Sequence, residues 1–124
     1  MPEIRPPFNH VVIVSHPSRT EAKLLVAEIE VFLKRKGVAE VCAYNFEEDE
    51  PPACLVDQPI DLVISVGGDG TMLRASHLCG PRQIPLIGIN QGRLGFLTEL
   101  TREDWQEKLG QFFDHQLEMR IEER

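Results

Sequence analysis

Three glycines and one carboxylate stand together where an apolar run stops, in DLVISVGGDGTML, residues 61–73. Gly67, Gly68 and Gly70 lack a Cβ, so backbone there can take left-handed angles and come close to a ligand. Their amides, just ahead of a predicted helix, make a cradle for phosphate oxygens. Asp69 conflicts with such a cradle, because a carboxylate repels phosphate unless Mg²⁺ or a proton-bearing group lies between them. Phosphoryl transfer resolves the conflict. The carboxylate accepts a hydrogen bond, and finally the proton, from an attacking hydroxyl, while amides and cation carry the phosphate charge. A plainer reading makes Asp69 a helix N-cap accepting from the Met72 amide, with the glycines only closing a turn. Thr71 reads equally as a cap or as a hydroxyl donor to phosphate.

This is not a nucleotide loop of the G-K-[ST] kind, since Lys or Arg is missing there and the first basic residue afterwards is Arg74. Nor is it a dinucleotide fingerprint, because Leu73 occupies the place of the third glycine. A second glycine turn follows in INQGRLGFLTEL, residues 89–100. Asn90 can brace that turn or read a ribose or phosphate, and Gly92 and Gly95 open the backbone. Arg93 offers a cation, and Phe96 either a ring for a base or a core side chain.

The surrounding pattern alternates strands and helices. HVVIVS (10–15), VAEVCAY (38–44), DLVISV (61–66) and PLIGIN (85–90) read as strands. Ser18 with Glu21 signals a helix start, Ala22, Leu25, Val26, Ile29, Phe32 and Leu33 fall on one face, and KRKG ends it. A second helix carries Met72, Leu73, Ala75, Ser76 and Leu78 to about 79–81. Thr101 with Asp104 caps a last one through Trp105, Leu109, Phe112 and Phe113. The acidic stretch 46–59 reads as a solvated connector. The expected architecture is α/β: an open, mainly parallel sheet of about four strands with helices on both faces. Both glycine turns then leave the same sheet edge, where ligands bind in such folds. Residues 1–115 form this domain, and the alternating QLEMRIEER places the start of a second domain or a linker at 116–124.

Length supports one domain, at 124 residues. A formal charge of −7 argues against nucleic acid as a partner. The N-terminus carries no secretory pattern and no stretch is apolar enough for a membrane span, so the expected location is the cytoplasm. Cys42, Cys54 and Cys79 show no metal spacing and read as three reduced, apolar fillers. His10, His16, His77 and His115 show no ligand spacing either. His16 reads as a neighbour of the turn, and His77 as a packing residue.

On Gly67-Gly68-Asp69-Gly70-Thr71 followed by Asn90-x-Gly92-x-x-Gly95-Phe96-Leu97-Thr98, the chain resembles the N-terminal, Rossmann-like domain of ATP-dependent NAD kinases. The first motif is shared with diacylglycerol-type lipid kinases and phosphofructokinases. The second does not fit the proline-glycine-threonine segment of the lipid kinases. The resemblance implies phosphorylation of the adenosine ribose 2′-hydroxyl of NAD by ATP or polyphosphate, with a divalent metal. It implies Asp69 as the catalytic aspartate, with Gly67, Gly68, Gly70, Thr71 and Arg74 around the phosphates. Asn90, Gly92, Arg93 and Phe96 lie by the dinucleotide, and no protein side chain is assigned as a metal ligand. It further implies a β-rich second domain absent from this chain, so that the chain alone is inactive, and a homodimer or homotetramer at full length. A lipid or sugar kinase and a non-catalytic nucleotide-binding module are the alternative readings.

Overall fold

A β-branched run without a polar interruption, residues 11–14, forms the middle of a parallel sheet. In the computed structural model of the chain, residues 9–15, 20–45, 59–80, 84–90, 100–101, 103–111 and 113 are described, without the side chains of Thr20, Glu21, Asp69 and Asn90. The strands are β1 (His10–Ser15), β2 (Glu40–Asn45), β3 (Leu62–Gly67), β4 (Leu86–Asn90) and β5 (Leu100–Thr101). They lie in the order β2-β1-β3-β4-β5, and every neighbouring pair is parallel. The described sheet thus has five strands where about four were expected. The fifth is two residues long, too short to leave a periodic signal, and pairs through Ile89↔Leu100 and Asn90↔Thr101.

Parallel strands buried on both faces read as unbroken apolar runs, and successive side chains divide between two cores. Val11, Ile13, Ile64, Val66 and Ile89 enter one core with Leu25, Ile29 and Leu33 of helix α1 (Thr20–Arg35). Trp105 and Leu109 join it from a helix over 105–111, α3. Val12, Val14 and Val63 enter the other with Ala75 and Cys79 of helix α2 (Asp69–Cys79). Helices therefore cover both faces, as expected. On the first face, α1 and α3 meet through an edge-to-face pair, Phe32 and Trp105, with ring centroids 5.5 Å apart.

The ends of the helices follow local chemistry. Gly37, at φ 92°, closes α1: its amide donates to the Lys34 carbonyl, and that of Val38 to Leu33, each at 3.1 Å. Thr101 and Asp104 make the expected reciprocal cap. The Thr101 amide donates to Asp104 Oδ1 at 2.7 Å, and the Asp104 amide to Thr101 Oγ1 at 3.2 Å. The Ser18 half of the cap predicted for α1 lies outside the described residues.

At the N-terminal edge of the sheet, Asp61 joins β1 to β3. Its Oδ2 accepts from the amides of Asn9 and His10 at 2.8 and 2.9 Å, and its own amide donates to the His10 carbonyl. His10 is buried, and its Nδ1 donates to the Pro59 carbonyl at 2.8 Å. Its Nε2 has no partner among the described residues. Two expectations are corrected. Cys79 is buried and keeps a reduced thiol, but Cys42 is disulfide-bonded, with its partner outside the described residues. His77 is exposed rather than packed, because Met72, Ala75 and Cys79 define the buried face of α2.

Two measurements check these contacts. Replacing Asp61 by Ala removes one acceptor from two amides and is expected to lower unfolding stability by about 1–3 kcal/mol in a denaturant titration. The Thr101 amide, then the Thr101 hydroxyl and Lys108, hold the Asp104 carboxyl below its ordinary range. A carboxylate depressed by folding stabilises above its unfolded pKa, and loses that contribution as pH falls through its folded value. Thermal unfolding of Asp104→Asn should accordingly fall off less steeply than the parent's between pH 5 and strong acid.

Candidate active site

In a fully parallel sheet every strand ends on one edge. Here the last residues are Asn45, Ser15, Gly67, Asn90 and Thr101, in spatial order. Gly67 and Asn90 are Cα partners on adjacent strands, so both glycine turns leave this edge side by side. Sequence reasoning missed that Ser15 and Asn45, also Cα partners, reach it too. Their signal, a polar residue closing each run, acquires meaning only once the register is known. The strand order runs outward in both directions from β1 and β3, and the crevice beyond such a divergence is where open α/β sheets bind ligands.

The turn after β3 is very short. Gly67 ends the strand, Gly68 is the N-cap at φ −111°, ψ −161°, and α2 begins at Asp69. The amides at 68–71 have no acceptor within the helix, and the Met72 amide opens the ladder by donating to the Gly68 carbonyl at 3.0 Å. That bond, with Gly68 at the cap, excludes the reading of Asp69 as an N-cap accepting from Met72. Asp69 is instead the first helical residue, where the positive end of the helix dipole favours a carboxylate by about 0.3–1 kcal/mol.

The three glycines turn out to do different things. Only Gly67 has a positive φ, 150°, and a Cβ there would stand 2.7 Å from Thr71 Oγ1. Gly68 and Gly70 have φ values open to other residues, and beyond their chain neighbours and the backbone of the helix itself no heavy atom of the described residues lies within 4 Å of where their Cβ would be. Neither packing nor conformation within the described residues requires glycine at 68 or 70. At both positions the bare backbone faces open space among the described residues.

The other predicted residues divide. Thr71 is buried, 8 % exposed, and stands as the third residue of α2, two beyond the first helical position. Arg74 is exposed on the second turn of α2, four residues beyond Gly70 and so on the same side. The structure gives the backbone but not the side chains of Asp69 and Asn90. Gly92, Arg93, Gly95, Phe96 and His16 lie outside the described residues. Among the described residues no group of three or more His, Cys, Asp or Glu is placed to hold a metal ion.

The distinction among the glycines is measurable on the chain itself. Gly67→Ala is expected to lose at least about 1–3 kcal/mol, from strained backbone and the clash with Thr71. Gly70→Ala should leave stability unchanged or raise it by up to about 1 kcal/mol, since alanine is the better helix former. Denaturant unfolding of the two variants tests both.

Comparison with known proteins gives consistent results. The family model described as the ATP-NAD kinase N-terminal domain matches residues 47–117, more than half of the chain. The NAD kinase of Neisseria gonorrhoeae strain NCCP11945 is 37% identical over 118 residues, covering 83% of this chain and 39% of that protein. The NAD kinase of Syntrophobacter fumaroxidans is 33% identical over 120 residues, covering 92% of this chain and 42% of that one. A crystal structure of yeast NADH kinase complexed with NADH shares the fold at a TM-score of 0.66 and 19% identity, over 87% of this chain and 36% of the yeast one. The chain thus spans about two fifths of the length of the curated relatives it matches. With the GGDGT turn and Asn90 set side by side at one sheet edge, it belongs to the ATP-NAD kinase family, through that family's N-terminal domain.

Proposed function

We propose that this domain supplies the phosphate-binding turn and the proton acceptor of an enzyme that phosphorylates the adenosine ribose 2′-hydroxyl of NAD, with ATP or polyphosphate as donor. One observation carries the reading: bare helix-opening backbone at Gly68 and Gly70, directly beyond the end of β3 and level with Asn90. Family membership supports the chemistry.

In this reading the amides of the Gly68–Gly70 turn hold donor phosphate oxygens, with Arg74 adding positive charge from the next turn of α2. The Asp69 carboxylate accepts a hydrogen bond from the 2′-hydroxyl. As the 2′-oxygen bonds to the γ-phosphorus and the bond to the bridging oxygen breaks, the proton passes to Asp69 and ADP leaves. Asn90, Gly92, Arg93 and Phe96 would hold the dinucleotide across the second turn.

A divalent cation fits as a companion of the nucleotide phosphates. Mg²⁺ keeps most of its waters and needs one or two carboxylates rather than a protein cage, and Asp69 is a carboxylate at this turn. When bound, such an ion neutralises phosphate charge. Homo-oligomerisation and a cytoplasmic location belong to the same reading. Among the described residues no helix is long and apolar enough to cross a membrane. The reduced thiol of Cys79 accords with a reducing compartment, and the disulfide at Cys42 stands against it.

The test is Asp69→Asn in the full-length protein, assayed for NADP formation alongside NAD binding. Loss of the proton acceptor should lower kcat by about 10²–10⁴-fold while NAD affinity stays within a few-fold. A rate within a few-fold of the parent's would remove Asp69 from the mechanism. NADP formation absent from the parent, with phosphate transferred to diacylglycerol or a sugar instead, would replace the substrate. Nucleotide binding with no transfer at all would make the domain a sensor.

A further inference from the structure

The first glycine of the turn is turned inward. Where Gly67 would carry a side chain, the side chain of Thr71 already stands: Oγ1 at 2.7 Å, Cβ at 3.1 Å and Cγ2 at 3.5 Å from the position of an ideal Cβ. Thr71 is the third residue of α2, and only Gly68 separates the end of the strand from the start of the helix. A link of one residue leaves the helix little freedom to choose its height above the sheet, and the contact between residues 67 and 71 takes up what remains. Branching at Cβ restricts the Thr71 side chain to few rotamers, so the contact is stiff. On the α2 side of the sheet, Ser65 and its Cα partner Gly88 are small and buried, and Ala75 faces that core.

We propose that Thr71 is a positioning residue: its packing on Gly67 sets where the Gly68–Gly70 amides and Asp69 stand relative to Asn90, and its hydroxyl is not a phosphate ligand. The inference rests on the kinase reading for its catalytic consequence, though not for the seat itself. A displacement of about 1 Å in groups that stabilise a transition state can cost on the order of 10²-fold in rate. Thr71 thus governs turnover through the turn without touching substrate.

Valine keeps the branched shape and lacks the hydroxyl, alanine lacks both, and serine keeps the hydroxyl alone. In the full-length protein, Thr71→Val is expected to retain at least about tenfold more kcat than Thr71→Ala, with KM for both nucleotides within about threefold across the series. Thr71→Ser should fall between them. If valine and alanine fall alike, and serine alone keeps the rate, the hydroxyl is the working group and the proposal is overturned; equal rates for valine and alanine at any other level overturn it as well. Hydrogen exchange at the Met72 amide of the 124-residue chain separates this from the activity reading. If no form makes NADP, the parent included, faster exchange in Thr71→Ala than in Thr71→Val upholds the seat and the failure is that of the proposed reaction. Equal exchange then overturns the seat itself.

Discussion

One residue joins β3 to α2, and the geometry of the site follows from that brevity. A longer link would let the helix tilt or slide, and the amides of its first turn would then face no fixed point on the sheet. With Gly68 alone between them, the helix N-terminus is bound to the end of the central strands. The cost is conformational. Gly67 must hold a φ of 150°, which side chains with a Cβ rarely adopt, and its missing side chain makes room for Thr71. The turn therefore begins with a glycine whose missing side chain is filled from within the fold, while at the two beyond it the Cβ positions face open space among the described residues.

The sheet holds that turn still because both of its faces are dry. Strands β1 and β3 are central, and their alternate residues feed two separate cores, one under α1 and α3 and one under α2. Sliding β3 by one residue would exchange every side chain between those cores. The register that aligns Gly67 with Asn90 is thus enforced by Val63, Ile64 and Val66 rather than by anything in the turns. Positioning of chemistry by bulk apolar packing is what allows the edge itself to be polar and open.

Much of this was legible in the sequence. The β-branched runs gave β1 and β3, the helical spacing from Ala22 to Leu33 gave α1, and Thr101 with Asp104 gave a helix cap, because each signal is local and periodic. Strand β5 was missed because two residues have no period, and β2 begins at Glu40 rather than residue 38 because Val38 is consumed in closing α1. His77 was misjudged because the buried side of a helix depends on where the helix lies. The bond at Cys42 escaped notice since pairing depends on proximity in space, not spacing along the chain. Within the motif, sequence identified the residues but assigned the three glycines one role. Separating them required a φ angle and a neighbouring atom, and neither is encoded in composition.

The Asp61 clasp lies at the far end of the same strands. Six residues of strand put it about 20 Å from the turn, with no shared partner between them among the described residues. Energies at two such distant places combine by simple addition. Evolution, or an engineer, can therefore tighten or loosen the anchoring end of this sheet and leave the opposite rim unaware of it.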